Sequence, residues 1–170
     1  MKLVFAAVAT ALLAASPAMA ADDGGFYVGA GVGSFGVDVD GFSGDDTGFK
    51  VLGGWMFNKY IGGELEYIDG GSAEDSGASI DVTGFNASLK AAYPMDQFNV
   101  FGKIGMIFWD ADLKVPGLGS GSDSGEDFSW GIGAGYDFTD NFGAIIEYQG
   151  FEIEDSDTVD FISASVLFKF

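Results

Sequence analysis

The stretch Ile162-Ser163-Ala164-Ser165-Val166-Leu167-Phe168-Lys169-Phe170 puts an apolar side chain at every second position and closes on an aromatic ring. Successive side chains of a strand point to opposite faces, so Ile162, Ala164, Val166, Phe168 and Phe170 share one apolar face. Near the other end, Phe26-Tyr27-Val28-Gly29-Ala30-Gly31-Val32-Gly33 repeats the pattern, with Phe26, Val28, Ala30 and Val32 on one side and mostly glycine on the other. An apolar face backed by small residues is the alternation of a strand with one side in lipid.

Between these ends lie three short polar turns, Asn58-Lys59-Tyr60, Pro94-Met95-Asp96-Gln97 and Thr139-Asp140-Asn141. They alternate with four longer Gly-, Asp- and Ser-rich stretches centred near residues 41, 75, 119 and 155. Seven connections predict eight strands, over 25–37, 46–57, 61–70, 80–93, 98–110, 127–138, 142–152 and 159–170. Each has about the nine to eleven residues, or slightly more, that a tilted strand needs to cross a bilayer. An internal repeat supports a meander: Trp55-Met56-Phe57, three turn residues and Ile61-Gly62-Gly63-Glu64-Leu65-Glu66-Tyr67 recur as Tyr136-Asp137-Phe138, three turn residues and Phe142-Gly143-Ala144-Ile145-Ile146-Glu147-Tyr148. The predicted fold is all-β, an eight-stranded antiparallel up-and-down transmembrane β-barrel.

A soluble ligand-binding barrel also has eight strands, and composition separates the two. One face carries large side chains such as Trp55, Leu65, Phe85, Leu89, Ile104, Phe108, Ile132 and Ile146, and the other reads as mostly Gly, Ser and Ala with a few charges. That second face is too neutral for a wet exterior, so it belongs inside and the large residues face lipid. Aromatics beside the short turns, Trp55, Phe57, Tyr60, Tyr93, Phe98, Tyr136, Phe138 and Phe142, would form an interfacial girdle.

Lys2, an apolar run from Leu3 to Ala15, Pro17 and Ala18-Met19-Ala20 have the layout of a secretory signal peptide. Residues 1–20 are therefore expected to be the signal peptide and residues 21–170 one barrel domain, in the bacterial outer membrane. With no histidine the commonest general base is missing, and Gly29-x-Gly31-x-Gly33 lacks the one-three-six spacing of a dinucleotide loop. No enzyme, no catalytic residue and no resident cofactor are expected. A net charge of −19 argues against nucleic acid, whose phosphates need a basic surface.

Parity sends Lys50, Lys90, Lys103 and Lys169 inward together with Glu64, Glu66, Asp137 and Glu147, so that the interior charges balance. Isolated charges in a narrow bore are costly, and pairing is the expected solution. The four long connections hold eighteen acids against one base, Lys114. Asp38, Asp40, Asp45, Asp46, Asp155 and Asp157 are the candidate residues for weak Ca²⁺ or Mg²⁺ association, with the cations bridging the loops to lipopolysaccharide.

Gly53-Gly54-Trp55-Met56-Phe57-Asn58-Lys59-Tyr60-Ile61-Gly62-Gly63-Glu64, Lys90-Ala91-Ala92-Tyr93-Pro94 and Gly102-Lys103-Ile104-Gly105-Met106-Ile107-Phe108-Trp109-Asp110-Ala111-Asp112 resemble the transmembrane domain of the outer membrane protein A family in order and spacing. The resemblance implies an interior network of two acids and two bases gating a small pore. Glu64 and Lys90 match two of its positions, Ile145 and Gly135 stand at the other two, and Glu147 and Lys103 are the candidates to substitute. The family's peptidoglycan-binding domain has no counterpart here, so no wall tether is expected. The resemblance further implies that Phe170, with Phe168, is read by the barrel-assembly machinery after delivery by periplasmic chaperones. The function these observations predict is a monomeric, non-catalytic barrel with a structural or surface-interaction role, contacting outer-membrane lipid, lipopolysaccharide and surface ligands through its acidic loops. The alternative is a narrow passive pore for ions or small solutes.

Overall fold

A computed structural model describes residues 24–39, 42–75, 78–115, 119–152 and 158–170. Eight strands follow in chain order: β1 (Gly25–Val39), β2 (Phe42–Met56), β3 (Ile61–Asp75), β4 (Ala78–Met95), β5 (Phe98–Val115), β6 (Gly119–Asp137), β7 (Phe142–Glu152) and β8 (Thr158–Lys169). Each pairs antiparallel with the next, and β1 pairs with β8 from Tyr27↔Lys169 to Asp38↔Thr158, closing the barrel. Closure satisfies every strand's backbone within the sheet and leaves no open edge in lipid.

The strand count and order agree with the sequence reading, but β1 to β6 are longer. β5 and β6 stay paired out to Val115↔Gly119, and β1 and β2 out to Val39↔Phe42. Much of what read as acidic loop is thus the continuation of three hairpins, β1–β2, β3–β4 and β5–β6. Gly, Ser and Asp have low strand propensity, but each added register pair satisfies backbone donors and acceptors already held side by side. The β3–β4 hairpin is irregular between Asp69 and Ser72, where Gly71 takes a φ of 79°, a left-handed conformation that suits glycine.

The two copies of the internal repeat fold alike. In one turn Asn58 Oδ1 accepts from the backbone N–H of Tyr60 (2.8 Å) and Ile61 (3.0 Å). In the other, Thr139 Oγ1 accepts from the N–H of Asn141 (3.3 Å) and Phe142 (3.0 Å). Phe57 N–H and Phe138 N–H donate to Ile61 O and Phe142 O, both at 2.9 Å. A short polar side chain standing in for a turn carbonyl fixes both hairpins.

Side-chain parity follows the pleat throughout. Leu65, Phe85, Leu89, Ile104, Ile132 and Ile146 are exposed outward, whereas Lys50, Glu66 and Phe161 are fully enclosed. Rings pack around the short-turn end in three runs: Phe26, Trp55 and Phe57; Phe98, Tyr136 and Phe138; Phe142, Phe168 and Phe170.

The β8–β1 seam is close-packed over glycine. A Cβ on Gly33 would lie 2.0 Å from Ile162 O and 2.7 Å from Ser163 Cα, so the two backbones would have to part. Gly33→Ala is expected to cost about 3 kcal/mol, the upper part of the overpacking range. Gly102→Ala, whose Cβ would find Gly131 O no closer than 3.8 Å, is expected to change stability by less than about 0.5 kcal/mol. Urea unfolding in phospholipid vesicles, followed by tryptophan fluorescence, compares the two.

Candidate functional site: a neutral ion layer between two apolar plugs

β2, β3, β4, β5 and β7 each send charged side chains into the bore at one level: Lys50, Glu64 and Glu66, Lys90, Lys103, and Glu147. Inward parity puts them on the same side of the sheet, and the closed barrel brings the strands round to face one another. The Lys103 ammonium is the hub, lying 2.7 Å from Glu64 Oε1, 3.0 Å from Glu66 Oε2 and 2.6 Å from Glu147 Oε1. Lys50 pairs with Glu147, with Glu66 at 3.1 Å, and donates to Gln149 Oε1 at 3.1 Å. Lys90 pairs with Glu64 at 3.1 Å, and its ammonium lies 4.2 Å from the Phe101 ring centroid and 4.9 Å from that of Tyr27.

Neutral side chains complete the carboxylates' hydrogen bonds. The Tyr27 hydroxyl donates to Glu64 Oε2, and Asn86 Nδ2 and Gln149 Nε2 each donate to Glu66 Oε2 at 2.8 Å. Ser129 Oγ in turn donates to Asn86 Oδ1 at 2.6 Å. Three lysines against three glutamates leave the layer without net charge, the condition under which burial of ions is tolerable.

Two apolar clusters bracket this layer. Toward the short turns Tyr27, Leu52, Phe101, Ile145 and Leu167 pack together, and toward the long hairpins Phe35, Ile68, Ile107, Phe151, Val159 and Phe161 do so. The inward face, read from the sequence as mostly Gly, Ser and Ala with a few charges, therefore also carries two sets of large apolar side chains. The missed signal was present as parity: Leu52 follows Lys50 by two, Ile68 follows Glu66 by two, and Phe101 and Ile145 precede Lys103 and Glu147 by two.

Of the eight residues assigned inward by parity, six meet in this layer. Lys169 and Asp137 instead form a separate pair at the short-turn end, with Nζ 2.6 Å from Oδ2 and both side chains about one-third exposed. Half-wet pairs contribute little, and Lys169→Met is expected to cost less than about 1 kcal/mol in the same unfolding assay. Ile145 belongs to the apolar cluster, and Gly135 is buried against Asn99. Phe168 and Phe170 pack edge to face with centroids 5.0 Å apart.

Among the candidate cation residues only Asp46 has a described side chain, and its Oδ1 accepts from Thr47 N–H at 2.6 Å. Asp38, Asp40, Asp45, Asp155 and Asp157 lie outside the residues whose side chains are described. Among the described residues, the carboxylates close enough to share an ion are Glu64, Glu66 and Glu147, within 4.8 Å of one another. The Lys103 ammonium already touches all three.

The comparisons with known proteins agree with a closed outer-membrane β-barrel. The sequence model of the outer membrane protein beta-barrel domain matches residues 5–170. The chain belongs to this family. This outer-membrane barrel is 28% identical over 155 residues to outer membrane protein A of Escherichia coli O157:H7, covering 84% of the chain and 45% of that protein. It is 30% identical over 115 residues to outer membrane protein A of Yersinia pseudotuberculosis serotype I, covering 62% of the chain and 33% of the relative. The chain thus spans less than half the length of these curated relatives. Among solved structures, Neisserial surface protein A superposes with a TM-score of 0.76 at 15% identity, covering 88% of the barrel and all of that chain. Ail of Yersinia pestis, in complex with the heparin analogue sucrose octasulfate, gives 0.70 at 18% identity, covering 87% and 99%. At such identities these two likenesses concern the fold.

Proposed function

We propose that this outer-membrane barrel is a non-catalytic surface protein whose interior is a structural plug and whose working surface is the acidic end formed by its long hairpins. The observation that carries this reading is the contrast between inside and outside. Inside, three lysines cancel three glutamates between two apolar clusters. At the long-hairpin end Asp46, Asp69, Asp110, Asp123, Glu126, Asp127, Glu152 and Asp160 stand without a described basic side chain among them. Such an end attracts cationic partners and is weakened by salt. Divalent cations bridging the hairpins to lipopolysaccharide belong to the same reading. So does the monomeric state, with the short turns, both chain ends and the assembly signal at Phe170 on the periplasmic side.

The Ail complex supplies a contrast, because its ligand is a polyanion. The acidic end of this barrel has the opposite complementarity. With the barrel in neutral-lipid nanodiscs, polylysine should bind at low salt and be released at high salt, while heparin should not bind. Heparin binding, or polylysine binding indifferent to salt, would sink the proposal.

A second reading, a narrow pore, draws on the ion layer itself, since Lys–Glu pairs that exchange partners could line a path for ions. The two apolar clusters in series with that layer weigh against it.

A further inference from the structure

On the outer wall a groove of about 480 Å³ crosses the seam where the barrel closes. Its outward floor is Ala30 of β1, Ala164 of β8 and Ala144 of β7. Val32 and Val166 and, on β2, Phe49 and Val51 stand around it, all exposed. The register explains the recess: Ala30 lies opposite Val166, and Val32 opposite Ala164, so small and branched side chains alternate across the seam. Elsewhere the belt is filled by Leu65, Leu89, Ile104 and Ile132.

We propose that this groove holds one acyl chain of a phospholipid from the leaflet on the short-turn side, laid across the joint between the first and last strands. Three observations select that occupant. Lys50 and Ser165 also border the groove, but both side chains are buried on the bore side; the other lining side chains are apolar, so the ligand is hydrocarbon where it touches. The floor lies within five residues of the short-turn ends of its strands: Ala30 is five from Gly25, Ala144 two from Phe142, and Ala164 five from Lys169. Immediately below it, Phe142, Phe168 and Phe170 pack edge to face in the aromatic band that marks the headgroup level. The groove is therefore continuous with the lipid interface of that leaflet.

In a bilayer no hydrophobic gain favours one apolar contact over another, and selection rests on packing. A chain that fills a groove contacts protein on several sides, whereas one on the convex wall touches it on one side. The groove chain should therefore exchange more slowly than the rest of the annulus, and it would cover the seam.

The test uses the full barrel refolded in vesicles of phosphatidylethanolamine and phosphatidylglycerol, doped with a phospholipid carrying a diazirine midway along one acyl chain. After irradiation, adducts are mapped by mass spectrometry. Peptides carrying Ala30 to Val32 and Ala164 to Val166 should be labelled several-fold above those carrying Leu65, Ala87 and Leu89 on the opposite wall. The enrichment should vanish in Ala164→Phe, with folding checked by heat-dependent gel mobility, and Ala144→Phe serves if that variant does not fold. Even labelling around the belt overturns the proposal, as does enrichment that survives in a folded, filled variant. The chain has no cysteine, so Ala164→Cys supplies a single thiol. Disulfide-linked dimers of that variant, formed in place of lipid adducts, would assign the groove to a second copy and also overturn it.

Discussion

Lys103→Met should lower the unfolding free energy by about 3–5 kcal/mol, the cost of leaving buried charge uncompensated. The size follows from its contacts. Among the described lysines only Lys103 touches all three carboxylates of the layer, so its removal leaves three anions to two cations at a level closed from water on both sides. Methionine keeps most of the volume and packs readily, which separates charge from cavity effects. Adding Glu147→Gln restores neutrality and should recover more than half of the loss. The double-mutant cycle, read by urea unfolding in vesicles, then gives the coupling of the pair. Additive losses would mean that the layer is not organised around the Lys103 ammonium.

Phe161→Ala should cost a similar amount, roughly 3–5 kcal/mol, through the cavity left in the plug beneath the long hairpins. Phe161 is fully buried and packs against Phe35 with centroids 6.0 Å apart, and the Lys50 ammonium lies 5.9 Å from its ring. Its loss would thin the apolar seal above the ion layer without altering any charge. Phe161→Leu, which keeps most of the apolar volume, should lose less than half as much. The same unfolding assay ranks the two, and equal losses would mean that the ring's volume is not what seals that end.

Much of this was legible from period-two alternation. Eight strands, the closed antiparallel order, the lipid face and the inward charges all follow from reading every second residue, as Lys50, Glu64 and Glu66, Lys90 and Glu147 illustrate. Two features were not. Strand ends in the acidic hairpins escaped because segments such as Ala111 to Val115 and Gly119 to Asp123 are held by pairing with each other, not by their own propensity. The plugs escaped because large apolar residues are expected to face lipid, although parity already puts Phe101 on the face of Lys103 and Phe161 on that of Lys169. Which charges meet depends on the shear of the closed barrel. Lys103 and Glu147, on strands that are not neighbours, come into contact only across the bore.

A sealed bore confines the protein's work to its outer surface. Single-channel recording in planar bilayers tests it most directly, with folding of the inserted barrel verified and with Glu64→Gln and Lys90→Met run in parallel. The wild-type barrel should show no discrete openings. Discrete wild-type openings whose amplitude or frequency changes with either substitution would contradict it and establish the ion layer as a conduction path.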